Sequence, residues 1–371
     1  MKKFLLATTV LVGTAGFAAA EVTLSGDARM GVIDTFQQDY AAEGQITESG
    51  VAFTSRARVT FTLSGETDGG IAFGGSFRAD NAGGLTIADT NGDGFINPDD
   101  PEEVNNGGAV LGRSGSVFIS GTFGKLSMGD VDNAALSAVG QVAGVGLTGL
   151  GDLNEIKYYS DSGAFNRPVA LYEYSTNGFT GYVSLTNPDV YNRLVCVEED
   201  EDGVCLDYEE VDVANSNVNS YAVGGSYSMD NYTIGLGYEF GDTNRQSSAT
   251  NTNHWVLGGS ATFGGFTLEA IIGQATGAVD GNQYAISGTY AMDAWAFTAF
   301  YTDESSLEIS DCDEDCQIGD EPAYGIGVSY DLGGGASVVG GYAYDTGSAV
   351  NINGKQYDKG GAWDLGINMS F

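Results

Sequence analysis

The sequence predicts an all-β protein in which sixteen antiparallel strands close into one transmembrane barrel. Three observations predict it. Strand-length segments alternate apolar with small or polar residues along the chain, short and long connections between them alternate without exception, and the C-terminal stretch Ala362 to Phe371 alternates strictly. Trp363, Leu365, Ile367, Met369 and Phe371 share one face of that last strand, and Ala362, Asp364, Gly366, Asn368 and Ser370 share the other. Composition agrees, with 57 Gly, 5 Pro and 11% aromatic residues in 371, and no long stretch has an apolar period of 3.6.

At the N-terminus, Lys2 and Lys3 precede an apolar run from Phe4 to Phe17 that ends in Ala18-Ala19-Ala20. This reads as a cleaved secretory signal, residues 1–20, with the mature chain 21–371 beginning near Glu21 as a single barrel. The run is shorter than the ~20 residues of a membrane helix and is broken by Gly13 and Gly16. The formal charge of −36 becomes two units more negative once Lys2 and Lys3 are removed, which excludes nucleic acid as a partner.

From there strands are expected at 22–35, 49–64, 70–80, 113–123, 125–130, 168–176, 179–187, 217–228, 231–241, 253–263, 266–275, 282–292, 295–303, 322–332, 335–346 and 361–371. Seven connections are tight: Gly65 to Gly69, Phe123-Gly124, Asn177-Gly178, Asp230-Asn231, Gly264-Gly265, Asp293-Ala294 and Gly333 to Gly335. Eight are long: 36–48, 81–112, 131–167, 188–216, 242–252, 276–281, 304–321 and 347–360. An even strand count, tight turns on one rim and long loops on the other fit a membrane barrel, whereas a stacked sandwich has no reason to sort its loops by length. Aromatic residues gather near strand ends, among them Phe73, Phe123, Trp255, Phe263 and Trp295, as interfacial girdles require.

The apolar phase of each early strand assigns its other phase to the interior. Leu24, Ala28, Met30 and Val32 outward put Asp27 and Arg29 inward, and Phe53, Ala57, Val59, Phe61 and Leu63 outward put Arg56 and Arg58 inward. By the same rule Arg78 follows from Phe73 and Phe77, and Lys125 from Leu126 and Met128. The result is a basic arc on one wall. Loop 131–167 follows Asp130 and carries Asp132, Asp152 and Glu155, while its middle, Ala143 to Leu150, is apolar. A transverse field between such an arc and such acids orients polar solutes.

Within loop 81–112, Asp89 to Asp100 (DTNGDGFINPDD) places oxygens at positions 1, 3, 5, 9 and 12, Gly at 6 and Ile at 8. This fits a calcium loop in which Asp100 replaces the bidentate Glu, with Asp89, Asn91, Asp93, Asp100 and the Phe95 carbonyl as ligands for a structural Ca2+. Four cysteines form two local pairs, Cys196 with Cys205 and Cys312 with Cys316, in acidic loop sequence. Three connectivities are possible, and an exported chain favours two local disulfides over metal ligation. The single histidine, His254, stands at a strand start beside Trp255 with no serine at plus two, so it reads as an interfacial polar residue and not as a catalytic base.

Gly26 to Val32 (GDARMGV), Ser55 to Arg58 (SRAR), Phe118 to Asp130 (FISGTFGKLSMGD), Asn231 to Glu239 (NYTIGLGYE) and Ser329 to Gly341 (SYDLGGGASVVGG) resemble the general porins of alphaproteobacterial outer membranes, the Rhodobacter type. The resemblance covers nearly the whole mature chain and is weakest in the long loops. It implies a homotrimer set in outer-membrane lipid and lipopolysaccharide, with the third long loop folded into the lumen. It further implies that acids on this loop face arginines across the narrowest part of the pore, with Arg29, Arg56 and Arg78 matching family positions. The second long loop, 81–112, would reach toward a neighbouring subunit. The function implied is passive diffusion of ions and small hydrophilic solutes, with a modest cation preference given the net charge and acidic loops. A secreted, soluble calcium-binding β-protein with a surface or adhesion role is the alternative, favoured by the acidity and the calcium loop.

Overall fold

The structure is a computed structural model that describes residues 21–34, 51–80, 115–160, 169–186, 192–199, 205–212, 220–242, 251–310, 321–346, 350–352, 355–357 and 360–371. Its strands are β1 (Glu21–Asp34), β2 (Ala52–Glu66), β3 (Ala72–Asp80), β4 (Gly115–Gly121), β5 (Gly124–Gly129), β6 (Val169–Thr176), β7 (Phe179–Thr186), β8 (Asn192–Glu199), β9 (Cys205–Asp212), β10 (Ser220–Met229), β11 (Tyr232–Asp242), β12 (Asn251–Phe263), β13 (Phe266–Gly277), β14 (Val279–Met292), β15 (Trp295–Asp303), β16 (Glu308–Ile309), β17 (Ala323–Gly333), β18 (Ala336–Asp345), β19 (Val350–Ile352), β20 (Lys355–Tyr357) and β21 (Gly361–Ser370). One short helix, α1 (Ala134–Val139), precedes β6.

Sixteen of these strands close on themselves. Each pairs antiparallel with its neighbour in the barrel, and β1 holds β2 on one side and β21 on the other, so Ala28 stands opposite both Ala57 and Met369. They are the sixteen expected from the alternation, with ends that differ by a few residues, as in β14, which begins at Val279 and not at Asn282. The other five strands belong to the long connections: the β8–β9 and β19–β20 hairpins stand apart, and β16 pairs only with the start of β14. Closure leaves the sixteen barrel strands no unpaired edge, which a strand-built membrane span requires.

The tight turns form where the sequence puts them. Asn177 and Gly178 both adopt positive φ, 48° and 81°, the backbone that a two-residue hairpin turn of matching twist demands. Asp230 and Asp293 take the same left-handed region at φ 51° and 54°. Asp and Asn tolerate it because their short polar side chains bond locally.

Large apolar residues are exposed on alternate positions around the whole barrel, from Val22, Leu24 and Met30 on β1 to Leu365 on β21, and Phe53 reaches 94% exposure. In water so large an apolar surface would drive association; in a bilayer it faces hydrocarbon. The soluble alternative has no account of this belt. Between those positions lie the residues of the polar face. Residues 131–160 pack on that face: Ala134, Ala135, Val142, Val145, Leu150 and Ile156 form a buried core with Ala222, Val256, Ile271, Phe300, Ala343 and Ala362 of the wall. The backbones come so close that a Cβ on Gly235 would collide with the Ala138 carbonyl, and one on Gly341 would stand 2.5 Å from the Gly146 nitrogen.

Candidate functional site

The segment after β5 starts with a capped turn. Asn133 Oδ1 accepts from the Leu136 amide at 2.8 Å, and the helix ends at Gly140, whose amide donates to the Leu136 carbonyl at 2.7 Å. A helix this short cannot hold itself in water, so the wall holds it. Four wall carboxylates accept backbone amides of the segment. Asp364 Oδ1 takes the Leu147 amide at 2.8 Å, and its Oδ2 takes the Thr148 amide and hydroxyl at 2.6 and 2.7 Å. Glu269 takes the Ala143 amide at 2.7 Å, and Glu304 takes the Lys157 amide at 2.7 Å and its ammonium at 3.0 Å.

Glu239, fully buried on β11, has the densest set of partners. The amides of Tyr159 and Ser160 donate to it at 2.8 and 3.0 Å, the Ser160 hydroxyl at 2.7 Å, and Asn133 Nδ2 at 3.0 Å. His254 Nδ1 completes the set at 2.6 Å. His254 is therefore not interfacial: it is fully buried, with Tyr159 edge-on at 5.2 Å between ring centres. The expectation failed because its position near a strand start says nothing about the loop that covers it. Beside it, Gln283 donates to the Lys157 carbonyl and to Glu304 at 3.0 and 2.5 Å. The Tyr158 phenol donates to the Gly140 carbonyl at 2.9 Å, and burial, then Glu239, push it up so that it stays neutral.

These contacts run from β7, where Ser184 accepts the Ala134 amide at 2.9 Å, round to β1, where Arg29 donates to the Leu147 carbonyl at 3.2 Å. The segment thus lies along the wall from β7 to β1. The arginines occupy β1 to β3, at the far end of this track and on the stretch of wall it leaves open. Arg29 stands opposite Arg56 and Asp27 opposite Arg58, and Arg56 binds the Asp27 carboxylate at 2.9 Å. Arg78 is opposite Thr60 on β2. Lys125 is not brought into this group: it sits one residue past the tight turn at Gly124, 3.5 Å from Glu173 and 5.7 Å above the Phe118 ring.

Asp130, Asp132, Asp152 and Glu155 are all exposed. Asp130 is fixed through its amide to the Gly115 carbonyl at 3.0 Å, and Glu155 through its amide to the Asp152 carbonyl at 3.0 Å. Surrounding protein, then the charge of Asp130, push the Asp132 carboxyl above its ordinary value. The proposed calcium ligands Asp89, Asn91, Asp93, Phe95 and Asp100, and Cys312 and Cys316, lie outside the described residues. Cys196 and Cys205 fall on the β8–β9 hairpin, where the register sets Cys196 opposite Tyr208 and Cys205 opposite Glu199.

Comparison with known proteins agrees with this architecture. A family model described as Gram-negative porin matches residues 7–349. The chain belongs to the Gram-negative porin family. A porin of Rhodobacter capsulatus is 33% identical over 347 residues, 87% of this chain and 94% of that protein. A porin of Fuscovulum blasticum is 24% identical over 346 residues, 90% and 99% of the two chains. Among solved structures, a porin refined at 1.8 Å superposes with a TM-score of 0.64 at 30% identity, covering 95% of this chain and all of that one. A mutant porin of Rh. blastica, at 19% identity and a TM-score of 0.58, shares the fold.

The porin is accordingly a multi-pass β-barrel of the outer membrane and a passive diffusion channel for ions and small hydrophilic solutes. Its family is one of channels, not enzymes, and the buried polar cluster fits that: Glu239 stands between Ser160 and His254, so the serine hydroxyl meets a carboxylate and not an imidazole. Sequence reasoning missed the wall carboxylates Glu239, Glu269, Glu304 and Asp364. The signal for Glu239, Glu269 and Asp364 was an acid on the mostly small polar phase of β11, β13 and β21, whereas Glu304 directly follows β15 and carried no such signal.

Proposed function

We propose that the conducting path is narrowed between residues 131–160 and the arginines of β1 to β3, and that the pore passes cations modestly better than anions. The observation that carries this reading is the anchoring of the segment through its backbone: the wall takes its amides, and the segment presents the exposed residues Asp130, Asp132, Asp152 and Glu155. Reconstitution into planar bilayers is expected to give discrete conductance steps and a reversal potential in a salt gradient on the cation side. Insertion without steps, or a reversal potential on the anion side, overturns it.

The resemblance of the sequence to trimeric porins supports a homotrimer in outer-membrane lipid and lipopolysaccharide. Loop 81–112 then binds one Ca2+ through Asp89, Asn91, Asp93, Asp100 and the Phe95 carbonyl, because hard oxygen ligands at these spacings suit that ion. With Asp where a bidentate Glu is usual, the affinity expected is about 10⁻⁴ to 10⁻³ M, that of extracellular modules. Chelator is expected to lower the melting temperature of the wild-type trimer and to leave Asp89→Ala/Asp93→Ala unaffected. Equal loss in both proteins moves the calcium elsewhere. Signal cleavage near Ala20 and the two local disulfides belong to the same reading. The β8–β9 register separates Cys196 from Cys205, so that bond needs the hairpin to slip. Intact mass before and after reduction and alkylation checks all three.

A further inference from the structure

The apolar belt is not uniform. Across β13 to β18, at two adjacent rows of outward positions, the side chains shrink to Gly288, Ala299 and Gly340, which leaves a groove of about 690 Å³ in the outer wall. Gly288 stands opposite Leu268 and Ala299, and Ala299 opposite Ile326, so the floor of one row is walled at both ends by branched residues. On the side of the tight turns, Phe266 and Tyr290 stack at 4.2 Å between ring centres and close the groove with a flat aromatic face. Leu268, Ile326 and Val328 at its edges belong to the exposed apolar belt, and none of the carboxylates that accept amides of residues 131–160 lines it.

We propose that this groove is a lipid site that holds one acyl chain of a phospholipid from the leaflet on the tight-turn side. The chemistry of its surface selects the occupant. Its surface is almost wholly apolar, and the hydroxyls of Thr289 and Thr298, which also line it, bond each other at 3.0 Å, so a sugar or a headgroup finds few partners for its polar atoms there and would be stripped of water at a cost. A hydrocarbon chain loses nothing and fills a concavity that otherwise forfeits dispersion contacts. The position selects the leaflet. Gly288 lies five residues before the turn at Asp293, and tight turns of outer-membrane barrels face the periplasm. The Phe266–Tyr290 stack then marks the interfacial girdle on that side.

The groove also admits its own test. A Cβ on Gly288 would meet only the Leu268 Cδ2 atom, at 3.4 Å, an ordinary contact, and the residue carries no positive φ. Gly288→Leu therefore fills the groove without straining the barrel. Purified in detergent and examined by native mass spectrometry, the wild type is expected to retain one phospholipid per chain through detergent exchange, and Gly288→Leu to retain at least tenfold less. Should Gly288→Leu not fold, Ala299→Leu serves the same purpose on a residue that already carries a Cβ. Equal retention in wild type and variant overturns the proposal, as does lipid A in place of phospholipid. A wild type free of lipid whose oligomeric mass changes on filling the groove also overturns it, and would make the groove a contact between copies of the chain. Because conductance does not enter the readout, failure here is distinct from failure of the channel reading.

Discussion

Glu239→Ala is expected to loosen residues 131–160 on the wall, most at Asn133 and at Tyr159–Ser160, while the barrel stays closed. The substitution orphans five donors at once: the Tyr159 and Ser160 amides, the Ser160 hydroxyl, Asn133 Nδ2 and His254 Nδ1. Each buried donor left without a partner costs about 1–3 kcal/mol, so this part of the segment loses its hold although Asp364, Glu269 and Glu304 keep theirs. The sixteen ladders of the barrel do not depend on Glu239, so heat-modified mobility on gels should persist. The segment is expected to become sensitive to protease and the channel to flicker between conductance levels. His254→Ala should do less, because Glu239 keeps its other four donors. The double variant should fall well short of the sum of the two singles, since the pair loses one shared contact. Quiet, wild-type conductance in Glu239→Ala would show that the segment is held elsewhere.

The barrel was legible in the sequence because each of its determinants is local. Alternation over ten residues fixes a strand and its faces, and Asn177-Gly178 fixes a turn without reference to anything distant. The same locality placed Arg29, Arg56, Arg58 and Arg78 on one wall. What the sequence did not yield was the track of residues 131–160. The Leu147 amide meets Asp364 across 217 positions of chain and the Tyr159 amide meets Glu239 across 80, and no periodicity relates residues so far apart. Lys125 shows the converse limit. Its phase was right, but phase says nothing about position along the barrel, and a residue beside a tight turn cannot join arginines that stand well inside their strands. The glycines at 235 and 341 carried a trace of the track, since only a backbone lying against the wall explains why a side chain is missing there, but composition so rich in Gly hides such a trace.

Replacing Arg29, Arg56 and Arg78 together with Ala is expected to raise the cation-to-anion permeability ratio on the order of tenfold. By Coulomb's law a unit charge ~6 Å from an ion contributes roughly 0.7 kcal/mol even at the dielectric of water, about threefold in local concentration. Three such terms multiply, and screening at physiological salt, with a Debye length near 8 Å, trims the product. Asp27 sets the sign of a secondary effect. It binds Arg56 at 2.9 Å in the wild type, and once Arg56 is gone its carboxylate adds to the attraction for cations. Arg29→Ala alone also removes the bond to the Leu147 carbonyl, so part of its effect comes through the segment. The contact of Arg56 is with Asp27 on its own wall, so Arg56→Ala reads the electrostatic part more directly. Acidification separates the two sides of the path. Because burial, then Asp130, raise the Asp132 carboxyl above its ordinary value, its charge is present above that raised value and is lost at a higher pH than an unperturbed aspartate would lose it. Cation preference should therefore decline as pH falls through that raised value, in wild type and triple variant alike, and Asp132→Asn should remove this part of the decline. An unchanged reversal potential in the triple variant would remove these arginines from the conducting path.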